Sequence, residues 1–133
     1  MCNLDSSVKG QKVGWKVVAI KPRSKNYFSP ATGCIYRSGK EVTKVKKQKR
    51  LTDYFRNDIL YSTRMNNPLM CGRTSIFKFK EDANNLLIDI NDSRSVPGVN
   101  FKVVKAIVSK KVMEGTYNGP KIYAGRIITF LDN

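Results

Sequence analysis

Two arginines stand alone in strand-like stretches of this 133-residue chain: Arg37, beside Tyr36 and near Cys34, and Arg126, next to Gly125 and near Tyr123. A guanidinium presents five donors in a rigid fork that fits a phosphate, and embedding it among apolar residues costs free energy unless an anion meets it. An outward-facing strand position is the plainer explanation. The rings of Trp15, Tyr36, Phe101 and Tyr123 can stack on a base, although aromatics serve more often as core. Asn100 adds an amide before the strongest strand pattern. Lys102 and Lys105 fall on opposite faces of that strand, so only one of them can join a given site. The candidate ligand-binding set is therefore Arg37, Arg126, Tyr36, Tyr123, Asn100, Phe101 and Lys105.

A second candidate is the run at 44–50, in which Lys44, Lys46, Lys47, Lys49 and Arg50 crowd into seven positions. Its functional reading is a phosphate-binding patch for nucleic acid. Its plain reading is a solvated loop that keeps a basic chain dispersed. Having Arg50 as its one guanidinium makes it poor at shaped, bidentate recognition.

Catalysis finds little support. The chain has no histidine, which removes histidine-based triads and histidine-ligated metals. Cys2, Cys34 and Cys71 are odd in number and widely spaced, which argues against a zinc knuckle or a disulfide framework. Free thiols in a reducing cytoplasm are the expectation. The acids fall at a helix start, Glu81 and Asp82, and in turns, Asp89 and Asp92, where capping and turn chemistry explain them. No phosphate-binding glycine loop, nucleophile elbow or paired-carboxylate pattern is present. We expect binding without turnover, with no cofactor and no metal.

The elements that must hold these residues read as follows. Residues 1–12 are polar and unpatterned, a loose arm before a single domain at 13–133. Trp15 to Lys21 is a strand stopped by Pro22. Gly33 to Val42 reads as two short strands bent at Ser38-Gly39, or one bulged strand. Leu51, Phe55 and Ile59 repeat at helical spacing, and Thr74 to Phe79 alternates as a strand. Glu81 to Leu87 reads as a helix, followed at 88–98 by a brief extended piece and a turn. Phe101 to Val112 and Ile122 to Leu131 flank Asn118-Gly119-Pro120 and predict an antiparallel hairpin. The order argues an α+β fold with a mostly antiparallel sheet and one or two short helices. In 122–131 both alternating sets are apolar: Ile122, Ala124, Ile128 and Phe130 against Tyr123, Ile127, Thr129 and Leu131. The second face therefore needs a cover, either a helix or another copy, which predicts a homo-oligomer.

Lys and Arg number 25 against 10 Asp and Glu, a formal charge of +15, and residues 1–50 hold 13 of those cations with 2 of the acids. Such a balance favours an anionic partner. Apolar runs are too short to span a bilayer, and no signal-peptide pattern opens the chain, so a cytoplasmic location is expected.

The segments Trp15-Lys16-Val17-Val18, Tyr36-Arg37-Ser38-Gly39-Lys40, Phe77 to Leu87 and the hairpin with Gly125-Arg126-Ile127 together give an outline over about 15–131. It resembles small phage-encoded proteins, and among them looks most like the Thoeris anti-defence sponges, which sequester cyclic ADP-ribose signals. The resemblance implies an oligomer with ligand pockets between protomers, a cyclic nucleotide as ligand, Arg37 and Arg126 on its phosphates, and action in the cytoplasm of an infected host cell. The run at 44–50 has no counterpart in that outline. The rival reading, which uses the charge directly, is a nucleic-acid-binding protein or an inhibitor of a host nucleic-acid-processing complex. A third is a structural protein packed against nucleic acid in a particle.

Overall fold

The computed structural model describes residues 2–31, 33–42, 51–55, 72–93 and 96–131. Its strands are β1 (Cys2–Ser7), β2 (Lys12–Ile20), β3 (Thr74–Phe77), β4 (Asn100–Ser109), β5 (Met113–Tyr117), β6 (Lys121–Gly125) and β7 (Ile127–Phe130), with one α-helix among the described residues, α1 (Lys80–Asn91). The α+β class and the antiparallel sheet agree with the sequence reading.

The strands form one sheet in the order β1-β5-β6-β3-β2-β4-β7, antiparallel at every pairing. This order hides a closure. β4 leads directly into β5 and β6 into β7, so these four are halves of one long hairpin, which turns at Asn118 and Gly119, both at positive φ as a tight hairpin turn requires. β4 pairs with β2, β6 pairs with β3, and β3 meets β2 at Trp15–Phe77, so the ladder curls into a small bent barrel. Gly14 permits that last seam: a Cβ there would land on the Phe77 carbonyl.

Inside the curl lie Ile76, Ala106, Val108, Val112, Tyr123 and Ile128. On the outer face, α1 packs its stripe of Ala83, Leu86, Leu87 and Ile90 against Val17, Phe77, Phe101 and Val103. That i, i+3, i+4, i+7 spacing is one helix face. Ile90 is fully buried, worth about 1.5–3 kcal/mol for such a side chain. Its place on the stripe carries the helix to Asn91, past Leu87, through residues whose sequence suggests an extended piece.

The hairpin contains a slip. Ser109 pairs Ile127 and Met113 pairs Ala124, so Lys110, Lys111 and Val112 stand opposite only Gly125 and Arg126. Lys110 and Lys111 take the left-handed conformation, and the Arg126 amide donates to the Lys110 carbonyl at 3.0 Å. A one-residue slip exchanges the faces of a strand. Ile122 and Ala124 accordingly pack under α1, whereas Ile128 and Phe130 turn into the barrel with Tyr123. This corrects the expectation that Ile122, Ala124, Ile128 and Phe130 share a face. The doubly apolar pattern comes from the slip, and both faces find cover within one chain, so the pattern does not require a second copy.

The N-terminus also differs from the expected arm: Cys2–Ser7 pair with Met113–Tyr117 as β1, with a register shift between Leu4 and Ser6. Polar side chains concealed this strand, because an edge strand gains its order from backbone pairing and from Leu4, 8% exposed. Of the helix expected from Leu51 to Ile59, the described part is a 3-10 turn at Asp53–Phe55.

Candidate anion-binding groove

Residues 27–31 and 33–42 form a strap that runs from the edge of β2 to β7. Phe28 bridges Ala19 at the edge of β2 and Ile35 on the return, and the Tyr36 amide donates to the Tyr27 carbonyl at 2.8 Å. The chain turns at Gly39, where φ is +77°, and runs along β7. There the Gly39 amide donates to Ile128, the Val42 amide donates to Arg126, and the Phe130 amide donates to Ser38 Oγ at 3.0 Å. Gly33 to Val42, expected as two short strands or one bulged strand, forms neither and holds by isolated bridges, single backbone hydrogen bonds and a side-chain contact.

The strap and Phe130 enclose a groove of about 250 Å³, lined among others by Lys25, Tyr27, Tyr36, Arg37, Lys40 and Phe130. Three rings make its wall: Tyr27 meets Phe130 edge-on with centroids 4.8 Å apart, and Tyr36 lies tilted at 5.7 Å. Two lysines from the sheet stand behind them. Lys102 Nζ is 4.9 Å from the Tyr27 centroid and Lys16 Nζ 5.2 Å from that of Tyr36. Lys16 also donates to the Ser75 carbonyl at 2.6 Å, which ties the ring to β3. Such cation–ring contacts contribute about 0.5–1 kcal/mol at exposed sites.

Lys16 and Lys102 share a face because Val18 pairs Lys102 and Lys16 pairs Val104. The opposite face carries α1, and with it Glu81, Asp82 and Asp89. The layers thus separate charge: acids on the helix, and Lys16, Lys25, Arg37, Lys40 and Lys102 around the groove. The field at the groove attracts anions.

Of the sequence-derived set, Tyr36 and Arg37 meet in this groove. Arg37 lies in the strap, exposed, and belongs to no regular strand. Arg126 sits at the slip, at the other end of β7, half-buried, its Nε buried without a hydrogen-bond partner among the described residues. Tyr123 is 9% exposed and fills the barrel, with Lys12 and Lys78 Nζ at 6.0 and 5.8 Å from its ring. Phe101 packs in the helix layer, Asn100 opens β4 in solvent, and Lys105 lies beside Trp15 on the face away from Lys16. Of the two lysines on that strand, Lys102 joins the groove. Lys16, Lys25, Tyr27, Lys40 and Phe130 escaped the sequence reading, which weighed Lys102 against Lys105 and placed Lys105 in the set; the parity of Lys16 and Lys102 becomes a signal only once the β2–β4 register is known. Lys44, Lys46, Lys47, Lys49, Arg50 and Cys71 lie outside the described residues.

Beyond Lys40, the Glu41 carboxylate pairs with Lys110. That hydrogen-bonded ion pair, with Arg126 and Lys111 adding to it, holds the Glu41 carboxyl below its usual range. A wider groove of about 420 Å³, lined mostly by Pro22, Leu51, Val96, Pro97 and Val99, touches none of these cations and has Lys21 on its rim. Among the described residues no cluster of His, Cys, Asp and Glu is suited to a metal ion, and no helix is long and apolar enough to cross a membrane.

Comparison of the chain with protein-family models, curated proteins and solved structures finds no match to any of them.

Proposed function

We propose that this protein binds single-stranded nucleic acid, without turnover, through the strap groove. The observation that carries the reading is the joining of Lys25, Arg37 and Lys40 to the rings of Tyr27, Tyr36 and Phe130 in one groove, on the layer opposite the acidic helix. Cations neutralise phosphates and release their counterions, while rings offer sequence-tolerant stacking. A groove open to solvent suits a strand that enters and leaves. The reading places the protein in a compartment that holds nucleic acid, the cytoplasm.

A second reading keeps a cyclic nucleotide as the sequestered ligand, because Tyr36 and Arg37 do meet. Tight capture of a small ligand needs enclosure, commonly pockets of ~300–1,000 Å³ that bury most of it, and the groove measures about 250 Å³. Capture on this reading calls for a second copy to complete the wall.

Salt separates the two. A fluorescent 12-nucleotide oligo(dT) is titrated at several salt concentrations, beside a cyclic nucleotide panel measured by calorimetry. A log–log slope near −0.7 for each phosphate neutralised, totalling about −3 or steeper, is the expected result. Tight cyclic nucleotide binding with no oligonucleotide binding replaces this reading with the second.

A further inference from the structure

The strap leads from the groove to the slip in the hairpin, where a second set of cations gathers around one acid. Lys110 and Lys111 are exposed and occupy successive left-handed positions, which L side chains adopt at a cost and which often mark functional sites. Arg73 Nε donates to the Lys111 carbonyl at 3.1 Å, bringing a further guanidinium to the same turn. Arg126 stands opposite, its Nε buried and without a hydrogen-bond partner among the described residues. The sole acid the strap contributes is Glu41, whose carboxylate pairs with Lys110 and lies in the field of Arg126 and Lys111.

Resting on the nucleic-acid reading, we infer that the Lys110–Lys111 turn with Arg73 and Arg126 is a second phosphate subsite for the same strand, occupied in the free protein by Glu41 as an internal anion. Lys110, Arg126 and Lys111 act on one carboxylate, and Arg73 joins the same turn, which leaves an excess of cation that the successive phosphodiesters of a strand can match. An exposed carboxylate held by an exposed lysine is exchanged at little cost, because surface ion pairs contribute little. The spacing also fits. Ser38 meets Phe130 and Val42 meets Arg126, so the strap covers the length of β7 from the groove to the turn. Four steps along a strand span about 13 Å, and a stacked strand places one phosphate every ~3.4 Å. A trinucleotide therefore fits the groove alone, and a strand of six or more nucleotides reaches both subsites. Displacing Glu41 frees Lys110 and removes the repulsion between the carboxylate and the incoming backbone.

The test is fluorescence anisotropy on full-length protein with oligo(dT) of 3, 6 and 12 nucleotides. Glu41→Gln is expected to tighten the 12-mer about threefold to tenfold and leave the 3-mer unchanged. The Lys110→Asn/Lys111→Asn variant, in residues that tolerate positive φ, is expected to weaken the 12-mer about tenfold and to lower the magnitude of its salt slope by about 1.4. A 12-mer that binds wild type, with Glu41→Gln neutral or weaker, overturns this inference and leaves the groove reading standing. Should no oligonucleotide of any length bind wild type, both fall together. Glu41→Gln keeps the backbone intact and decides the matter even where the double variant does not fold.

Discussion

Lys16 and Tyr36, one in the sheet and one in the strap, are joined through space: the ammonium stands 5.2 Å from the ring centroid while donating to the Ser75 carbonyl at 2.6 Å. One lysine thus fixes the ring that lines the groove to the strand that closes the barrel. The groove inherits its shape from the barrel seam, and loss of either contact loosens both.

The rim is tested by charge removal. Arg37→Gln combined with Lys40→Gln should weaken 12-mer oligo(dT) about tenfold and reduce the magnitude of the salt slope by about 1.4. Both side chains are exposed, so the melting temperature should hold. Lys80→Gln, on the helix layer, should change neither quantity. Anisotropy and thermal denaturation read both; a double variant that binds like wild type removes the groove from the function.

The wall is tested by the ring. Tyr36→Phe keeps the plane under Lys16 and should bind within about twofold of wild type. Tyr36→Ala removes the plane, and base–aromatic stacking is worth about 1–3 kcal/mol per base, so binding should fall by about fivefold or more at unchanged salt slope. A fall in slope instead would mean that the ring serves only to place Lys16.

The seam is tested by bulk. Gly14→Ala puts a methyl group onto the Phe77 carbonyl and against the Ile76 side chain. Overpacking costs about 1–3 kcal/mol, and a backbone obstacle puts this site at the upper end. Urea denaturation should show the loss in midpoint. Ile90→Ala, which empties the space beneath α1, should cost about 2–5 kcal/mol and leave oligonucleotide binding by the folded fraction intact.

The Glu41–Lys110 pair gives a pH dependence whose sign follows from the lowered carboxyl. A group whose folded pKa lies below its unfolded value adds stability that is present above the unfolded value, near 4.5, and is lost as pH falls through the folded one. Wild type should therefore protect the Val42 amide, bonded to the Arg126 carbonyl, better than Glu41→Gln does at neutral pH. The two should converge in acid below the ordinary carboxylate range. Hydrogen exchange followed across pH 2.5 to about 7 checks it; a difference that persists unchanged into acid rules out the ion pair as its source.

Local chemistry was legible along the chain. The strand-forming runs Trp15 to Lys21 and Phe101 to Val112, the Asn118-Gly119 turn and the acids opening the helix each express a preference of neighbouring residues; all have their counterparts in the structure, although β4 ends at Ser109, before the left-handed Lys110 and Lys111. Period and turn chemistry act over a few residues, so they survive reading one residue at a time. What the tertiary structure alone decided is which side chains share a face. Phe130 joins Tyr36 because the hairpin slips by one residue at Arg126, Lys16 joins Lys102 because β2 and β4 pair in one register, and β1 exists because β5 offers it an edge. A strand's two faces are equivalent until it is paired, and a slip of one position exchanges them. Arg37 and Arg126 look alike among their neighbours in the chain, and only the path of the strap along β7 sets one in the groove and the other at the turn.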